Sequence, residues 1–117
     1  MTSSAKGKAG EDRAARFLEE AGYRIIERNF RSQAGEVDII VEKEETLVFV
    51  EVKSWATYSL ENLEYSVNQK KQKKIVETAK IFLENHREYS NNQVRFDVIF
   101  IGPGCVRHLA SAFMESV

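Results

Sequence analysis

The chain has 117 residues, enough for one compact domain and too few for two ordinary ones. With 43% hydrophobic and 30% charged residues it has the composition of an ordinary soluble protein, and no stretch approaches the roughly 20 apolar residues of a membrane span. The formal net charge of −1 argues neither for nor against nucleic acid, but single Cys105 and only two histidines, His86 and His108, exclude an internal disulfide, a cysteine-based zinc site and a His-rich metal site.

The N-terminal stretch MTSSAKGKAGEDRAARF lacks the apolar core of a signal peptide, so the expected setting is cytoplasmic. From about Ser4 to Ala21 the apolar positions Ala9, Ala14, Phe17, Leu18 and Ala21 follow helical spacing, and Gly22 supplies a stop. YRIIERNF is rich in β-formers and reads as a first strand, followed by a turn over Ser32 to Gly35. Residues 36–42 and 47–53 read as two strands joined by a short charged stretch, which makes a hairpin. SWATYSLENLEY has mixed signals and reads as an irregular connection. A second helix is expected from about Val67 to His86, with Ser66-x-x-Gln69 as a capping box and Ile75, Ala79, Phe82 and Leu83 as its inward stripe. VRFDVIFI is a further strand, ended by Gly-Pro-Gly, and CVRHLASAF reads as a short strand followed by a turn of helix. The order αβββαβ(β) predicts a single α/β domain over 1–117, with a mixed, hairpin-containing sheet and helices against it.

The hairpin carries the chemistry. Asp38 in GEVDII and Glu51 in FVEVK are carboxylates inside runs that otherwise read as buried strand, with Lys53 two residues further on. Strand alternation puts Glu36, Asp38 and Ile40 on one face of their strand, and Leu47, Phe49, Glu51 and Lys53 on one face of the next. If Glu44 and Glu45 form a two-residue turn, Lys43 pairs with Thr46, Asp38 lies across from Glu51, and Glu36 lies across from Lys53. Directly opposed carboxylates would be ~5 Å apart. At an effective dielectric of about 20 they would repel by roughly 3 kcal/mol, before desolvation is added. A shared proton, an intervening cationic side chain or a divalent metal relieves that cost. With no cysteine or paired histidine on offer, such a metal is a hard cation with oxygen ligands, Mg²⁺ or Mn²⁺. Two carboxylates and a lysine around a hard metal form a phosphodiester-cleaving arrangement. The ordinary alternative is a set of solvated edge charges, against which Leu47 and Phe49 on the same face count.

These residues, in this order, resemble the PD-(D/E)xK nuclease superfamily, and more closely the small bacterial YraN family, relatives of Holliday-junction resolvases. The resemblance runs from about Gly7 to Phe113 through GKAGEDRAARFLEEAGYRIIERNFR, GEVDII, LVFVEVK, a Lys-rich helix ending AKIFL, RFDVIFI and HLASAF. It implies a restriction-endonuclease-like αβββαβ core and Mg²⁺-dependent cleavage of DNA, branched or structured. By position it makes Asp38 and Glu51 metal ligands, Lys53 the catalytic lysine, and Glu11 on the first helix an additional acid at the metal. Glu36 is a candidate water-mediated ligand or a partner of Lys53. Gln69 and Lys70 are the candidates for a helix-borne polar group near the site. Lys70, Lys71, Lys73 and Lys74 would hold DNA phosphates, or form a solvated helix face. Asp97 is expected to satisfy Arg95 or a backbone amide rather than a metal, and Trp55 and Tyr58 to stack on bases or pack the loop. Relatives of this kind are often dimers, which makes a homodimer a candidate assembly. The chain departs from the family's usual Thr-Arg after the lysine, having Ser54-Trp55, which removes a basic residue near the scissile phosphate. The alternative function is a non-catalytic nucleic-acid-binding or adaptor protein in DNA repair or uptake that retains the fold.

Overall fold

The computed structural model describes residues 2–54 and 68–113, with side chains from Lys8 onward. Helix α1 spans Thr2–Glu20, and strands β1 (Arg24–Ser32), β2 (Gly35–Lys43) and β3 (Thr46–Ser54) follow it. Helix α2 (Gln69–Asn85) leads through a 3₁₀ turn at Arg87–Tyr89 to β4 (Gln93–Gly102) and β5 (Cys105–Phe113). The five strands form one mixed sheet in the order β1-β2-β3-β4-β5. Every neighbouring pair is antiparallel except β3 and β4. A parallel pair needs a long crossover, and α2 lies within it. No helix of the described residues is long and apolar enough to cross a membrane.

The strand connections follow from local chemistry. After α1 the Tyr23 amide bonds to the Leu18 carbonyl and the Gly22 amide to that of Glu19, with Gly22 at φ +94°. This is a Schellman stop, in which the left-handed residue is the expected glycine. Between β2 and β3, Glu44 and Glu45 take φ of 49° and 65°, and Lys43 pairs with Thr46 as predicted. The tight two-residue turn therefore forms without the Asn-Gly that such a turn prefers.

Each face of the sheet is covered by one helix. Ala14, Ala15 and Leu18 of α1 pack on Ile39, Val41, Val48, Val50, Ile99 and Ile101. Ile75, Val76, Ala79 and Phe82 of α2 pack on the other face, against Val37, Ile40, Leu47, Phe49, Phe96 and Val98 among others. Phe82 is central there: its ring meets Phe30 and Phe49 edge-on at 5.2 and 5.8 Å. Phe49 and Phe82 are 1% and 0% exposed, and burial of each such side chain contributes about 1.5–3 kcal/mol. Burial on both faces explains why the central strands read as nearly continuous apolar runs.

Three expectations are corrected. The α2 cap is Asn68, whose Oδ1 accepts the Lys71 amide at 2.9 Å, and Ser66 lies outside the described residues. The C-terminal stretch CVRHLASAF forms a single strand, β5, with no helical turn, because the edge of β4 takes it up in antiparallel pairing with one bulge. Alternation along β2 breaks at Asp38: Val37 packs with Ile40 on the α2 side, whereas Ile39 and Val41 are on the α1 side. The cause lies on the paired strand, where Asn29 takes φ +55° between Arg28, paired with Ile39, and Phe30, paired with Val37. A left-handed residue there turns both strands over without changing their register, and Asn tolerates that conformation. Ser54, the first residue of the expected irregular connection, ends β3, and the rest of that connection, with Trp55 and Tyr58, lies outside the described residues.

Candidate active site

The β2–β3 ladder runs from Lys43–Thr46 to Ile39–Val50 and stops. Continued in the same register it would bring Asp38 opposite Glu51 and Val52 opposite Val37. Instead the Val52 amide donates to Asp38 Oδ2 at 2.8 Å. A side-chain carboxylate thus takes the place of a ladder carbonyl, and the two strands part at this point. β2 stays with β1 through Arg31–Glu36, and β3 stays with β4 through Ser54–Ile101.

Asp38 sits in this split. Its pKa is raised to about 7, chiefly by burial and next by the charge of Glu51, with the Val52 amide opposing and Glu11 and Glu36 adding to the rise. Glu51 is 7% exposed and continues the α2-facing row of Leu47 and Phe49, as the alternation predicts. Lys53 lies on that same row, with Nζ 3.7 Å from Glu51 Oε1. Burial, and after it the neighbouring Lys71, depresses the Lys53 pKa.

The closest cation to Glu51 is Lys71, at 2.7 Å from the first turn of α2. The helix-borne group near the site is expected at Gln69, Lys70 or one of their neighbours; it is the neighbour Lys71, while Gln69 and Lys70 are exposed. A signal for Lys71 was available: the inward stripe of Ile75, Ala79 and Phe82, extended back by one turn, falls on residue 71. Lys73 and Lys74 are exposed beside it.

Glu11 faces Asp38 from the other side. It is 8% exposed, and its Oε1 accepts from Arg28 Nε at 2.8 Å and from Asn29 Nδ2 at 3.0 Å. Gly10 lets α1 approach this closely, because a Cβ there would stand 3.2 Å from Ser54 Oγ. A cavity of about 570 Å³ opens here, with Lys8, Arg28 and Arg31 on its wall beside Glu11, Glu36 and Asp38. Glu36 does not pair with Lys53; its partner is Arg31 at 3.2 Å, since the reversal at Asn29 and Asp38 turns it away from the α2 face. A second cavity, of about 380 Å³ between α2 and the β4–β5 edge, has no acid in its lining.

Asp97 belongs to a different cluster on the α1 face. It is fully buried and binds Arg95 through both oxygens at 2.9 and 2.8 Å, the Ser111 amide at 2.9 Å and His108 Nε2 at 2.6 Å. Burial pushes its pKa up, but His108, Arg95 and Ser111 more than offset that and hold it below the usual range. This is the structural role expected for it.

Among the described residues no three His, Cys, Asp or Glu side chains converge as a ready metal cluster. The donors present are a pair, Asp38 and Glu51, with Glu11 engaged by Arg28 and Asn29. Such a pair suits Mg²⁺ or Mn²⁺, which bind through one or two carboxylates and complete their octahedron with water and substrate phosphates. The donor set, two buried carboxylates with room beside them for water and phosphate oxygens, fits a hard cation.

A five-stranded mixed sheet with a helix on each face, and acids at the splayed end of its central hairpin, defines a restriction-endonuclease-like α/β domain. Residues 10–101 match the model of the family described as Uncharacterised protein family UPF0102, the family whose YraN members the sequence resembles. The chain belongs to that family. It is 46% identical over 113 residues to a UPF0102 protein of Persephonella marina, with 97% of each chain covered. It is 45% identical over 118 residues to one from Treponema pallidum (95% of this chain, 94% of the relative). A relative in Nitrobacter winogradskyi is 42% identical over 111 residues, covering 94% and 92%.

Proposed function

We propose that the chain is a metal-dependent DNA endonuclease acting on branched or structured DNA. The observation that carries this reading is the juxtaposition of Asp38 and Glu51 at the parting of β2 and β3, with Lys53 and Lys71 on Glu51. Two buried carboxylates set beside one another are costly even with a backbone amide on one and lysines on the other, and such pairs persist where a ligand or a reaction uses them.

Asp38 and Glu51 would hold Mg²⁺ or Mn²⁺, which when bound would stabilise charge developing on a phosphodiester in cleavage. Lys53, its pKa depressed by burial and by Lys71, is suited to accept a proton from the attacking water or to hold a phosphate oxygen. Glu11, anchored by Arg28 and Asn29, sets the α1 wall of the cavity and adds negative potential at Asp38. Glu36 adds to that potential in the same way. Lys70, Lys73 and Lys74 on one side and Lys8, Arg28 and Arg31 on the other offer a cationic border for phosphates, independent of base sequence. A homodimer would present two such sites to a two-fold junction.

A second reading has its own support: Ser54-Trp55 follows Lys53 where the resembling family has Thr-Arg, so a basic residue is missing, and Lys71 already pairs with Glu51. On that reading the chain binds nucleic acid or a repair protein without cutting. The test incubates the protein with four-way-junction, flap, single-stranded and linear DNA, with Mg²⁺, Mn²⁺ or chelator, beside Glu51→Ala. Metal-dependent cleavage lost in Glu51→Ala supports the nuclease; binding without cleavage in every metal condition supports the adaptor.

A further inference from the structure

The first turn of α2 is built against its own helix. It contains no acidic residue, and Lys70, Lys71, Lys73 and Lys74 crowd the end where the macrodipole disfavours cations. Lys71 is the member of this group with a dedicated place. Its amide is fixed by Asn68 at 2.9 Å, and its ammonium reaches Glu51 Oε1 at 2.7 Å, a full ångström closer than Lys53 at 3.7 Å. The two lysines also differ in freedom. The Lys71 side chain is 38% exposed and that of Lys53 is 23% exposed, so Lys71 has solvent to swing into while Lys53 sits deeper.

A divalent cation on Glu51 and the Lys71 ammonium would compete for the same carboxylate oxygen. Resting on the reading of Asp38 and Glu51 as a cation site, we propose that Lys71 is a built-in counter-ion that the cation must displace. The cation then loads fully only when a phosphodiester is present to receive the ammonium. Without DNA the displaced ammonium moves toward Lys70, Lys73 and Lys74, whose like charge opposes it. With DNA, a backbone phosphate replaces Glu51 as its partner. Cation and DNA therefore strengthen each other's binding, by the same factor in either order of addition. The fold would in this way keep an empty cleft short of cation and fill it at the substrate.

The test is calorimetric titration of Mn²⁺ into the full chain, with and without a short single-stranded phosphorothioate oligonucleotide, the protein-free oligonucleotide serving as blank. Lys71→Met is expected to bind Mn²⁺ about tenfold tighter than the unaltered protein when no oligonucleotide is present, the scale of removing one charge a few ångströms from the site. The oligonucleotide is expected to tighten Mn²⁺ binding by about tenfold in the unaltered protein and in Lys71→Arg, and by less than about twofold in Lys71→Met. Equal or weaker Mn²⁺ binding by Lys71→Met, or equal enhancement by the oligonucleotide in both, overturns the counter-ion role and leaves the cation site standing. Mn²⁺ binding that is absent throughout, or unchanged in Glu51→Gln, overturns the cation site and the counter-ion together.

Discussion

The Val52 amide donates to the Asp38 carboxylate at 2.8 Å, in the position where the hairpin ladder would have taken the Val37 carbonyl. One hydrogen bond thereby does two things. It parts β2 from β3, and it holds an acid beside Glu51 at the mouth of the split. The consequences can be measured.

Asp38 makes stability fall with rising pH. Its folded pKa of about 7 exceeds the ordinary value of 3.8, so between those values the folded chain keeps a proton that the unfolded chain has released. That contribution is complete below about pH 4 and is lost as pH rises through about 7, amounting to on the order of 2–4 kcal/mol. Urea denaturation in chelator should give a higher unfolding free energy at pH 5 than at pH 8. Asp38→Asn should flatten the difference, and parallel slopes for the two proteins would show that Asp38 ionises normally.

Glu51→Gln and Lys53→Met are expected to lose junction or flap cleavage by about 10²- to 10⁴-fold, the range for a removed acid–base group. Lys53→Met should still bind DNA in a mobility-shift titration with chelator present. Unchanged cleavage rates in Lys53→Met would remove the lysine from the reaction.

Lys70, Lys73 and Lys74 should each contribute one phosphate contact. Replacement of any of them by Ala is expected to weaken DNA binding uniformly across sequences and to reduce the slope of log affinity against log salt by about 1. Anisotropy titrations over a salt series read this directly, and a slope indifferent to all three would place the DNA elsewhere.

Asp97→Ala should be the most damaging of the single changes for stability, at about 3–5 kcal/mol, because it strands Arg95 and His108 against an apolar face. Chemical denaturation measures the loss. Mn²⁺ affinity of the folded protein should be unaltered, since Glu51 lies on the opposite face of the sheet.

Glu45→Gly should stabilise the protein by about 1 kcal/mol, raising Tm by about 4 °C, because Glu45 holds φ of 65° in the hairpin turn. The turn is at the far end of the hairpin from Asp38 and Glu51, so cleavage should not change.

Much of this was legible along the chain. The hairpin register follows from the two-residue turn at Glu44 and Glu45, and it puts Asp38 and Glu51 at matching positions. The faces of β3 follow from simple alternation, whereas the separation of Glu51 from Asp97 rests on the parallel register of β3 and β4. Alternation failed on β2, because a single left-handed residue, Asn29, on a neighbouring strand turned the chain over at Asp38. The same event sent Glu36 to Arg31 in place of Lys53. The tail departs from the predicted turn of helix because ASAF has no strong β-former until its end, and only the open edge of β4 makes it a strand.

The sequence by itself determined both helices, the first four strands, the central register and the pair of acids, because period, turn chemistry and charge within an apolar run are local properties. Tertiary structure alone decided which cation meets Glu51. Lys53 is closer along the chain, yet Lys71 is closer in space, since the buried stripe of α2 fixes how that helix lies on the sheet. It also decided that Asp38 would hold its proton near neutral pH, since desolvation and the field of Glu51 exist only once β2, β3 and both helices have closed around the site.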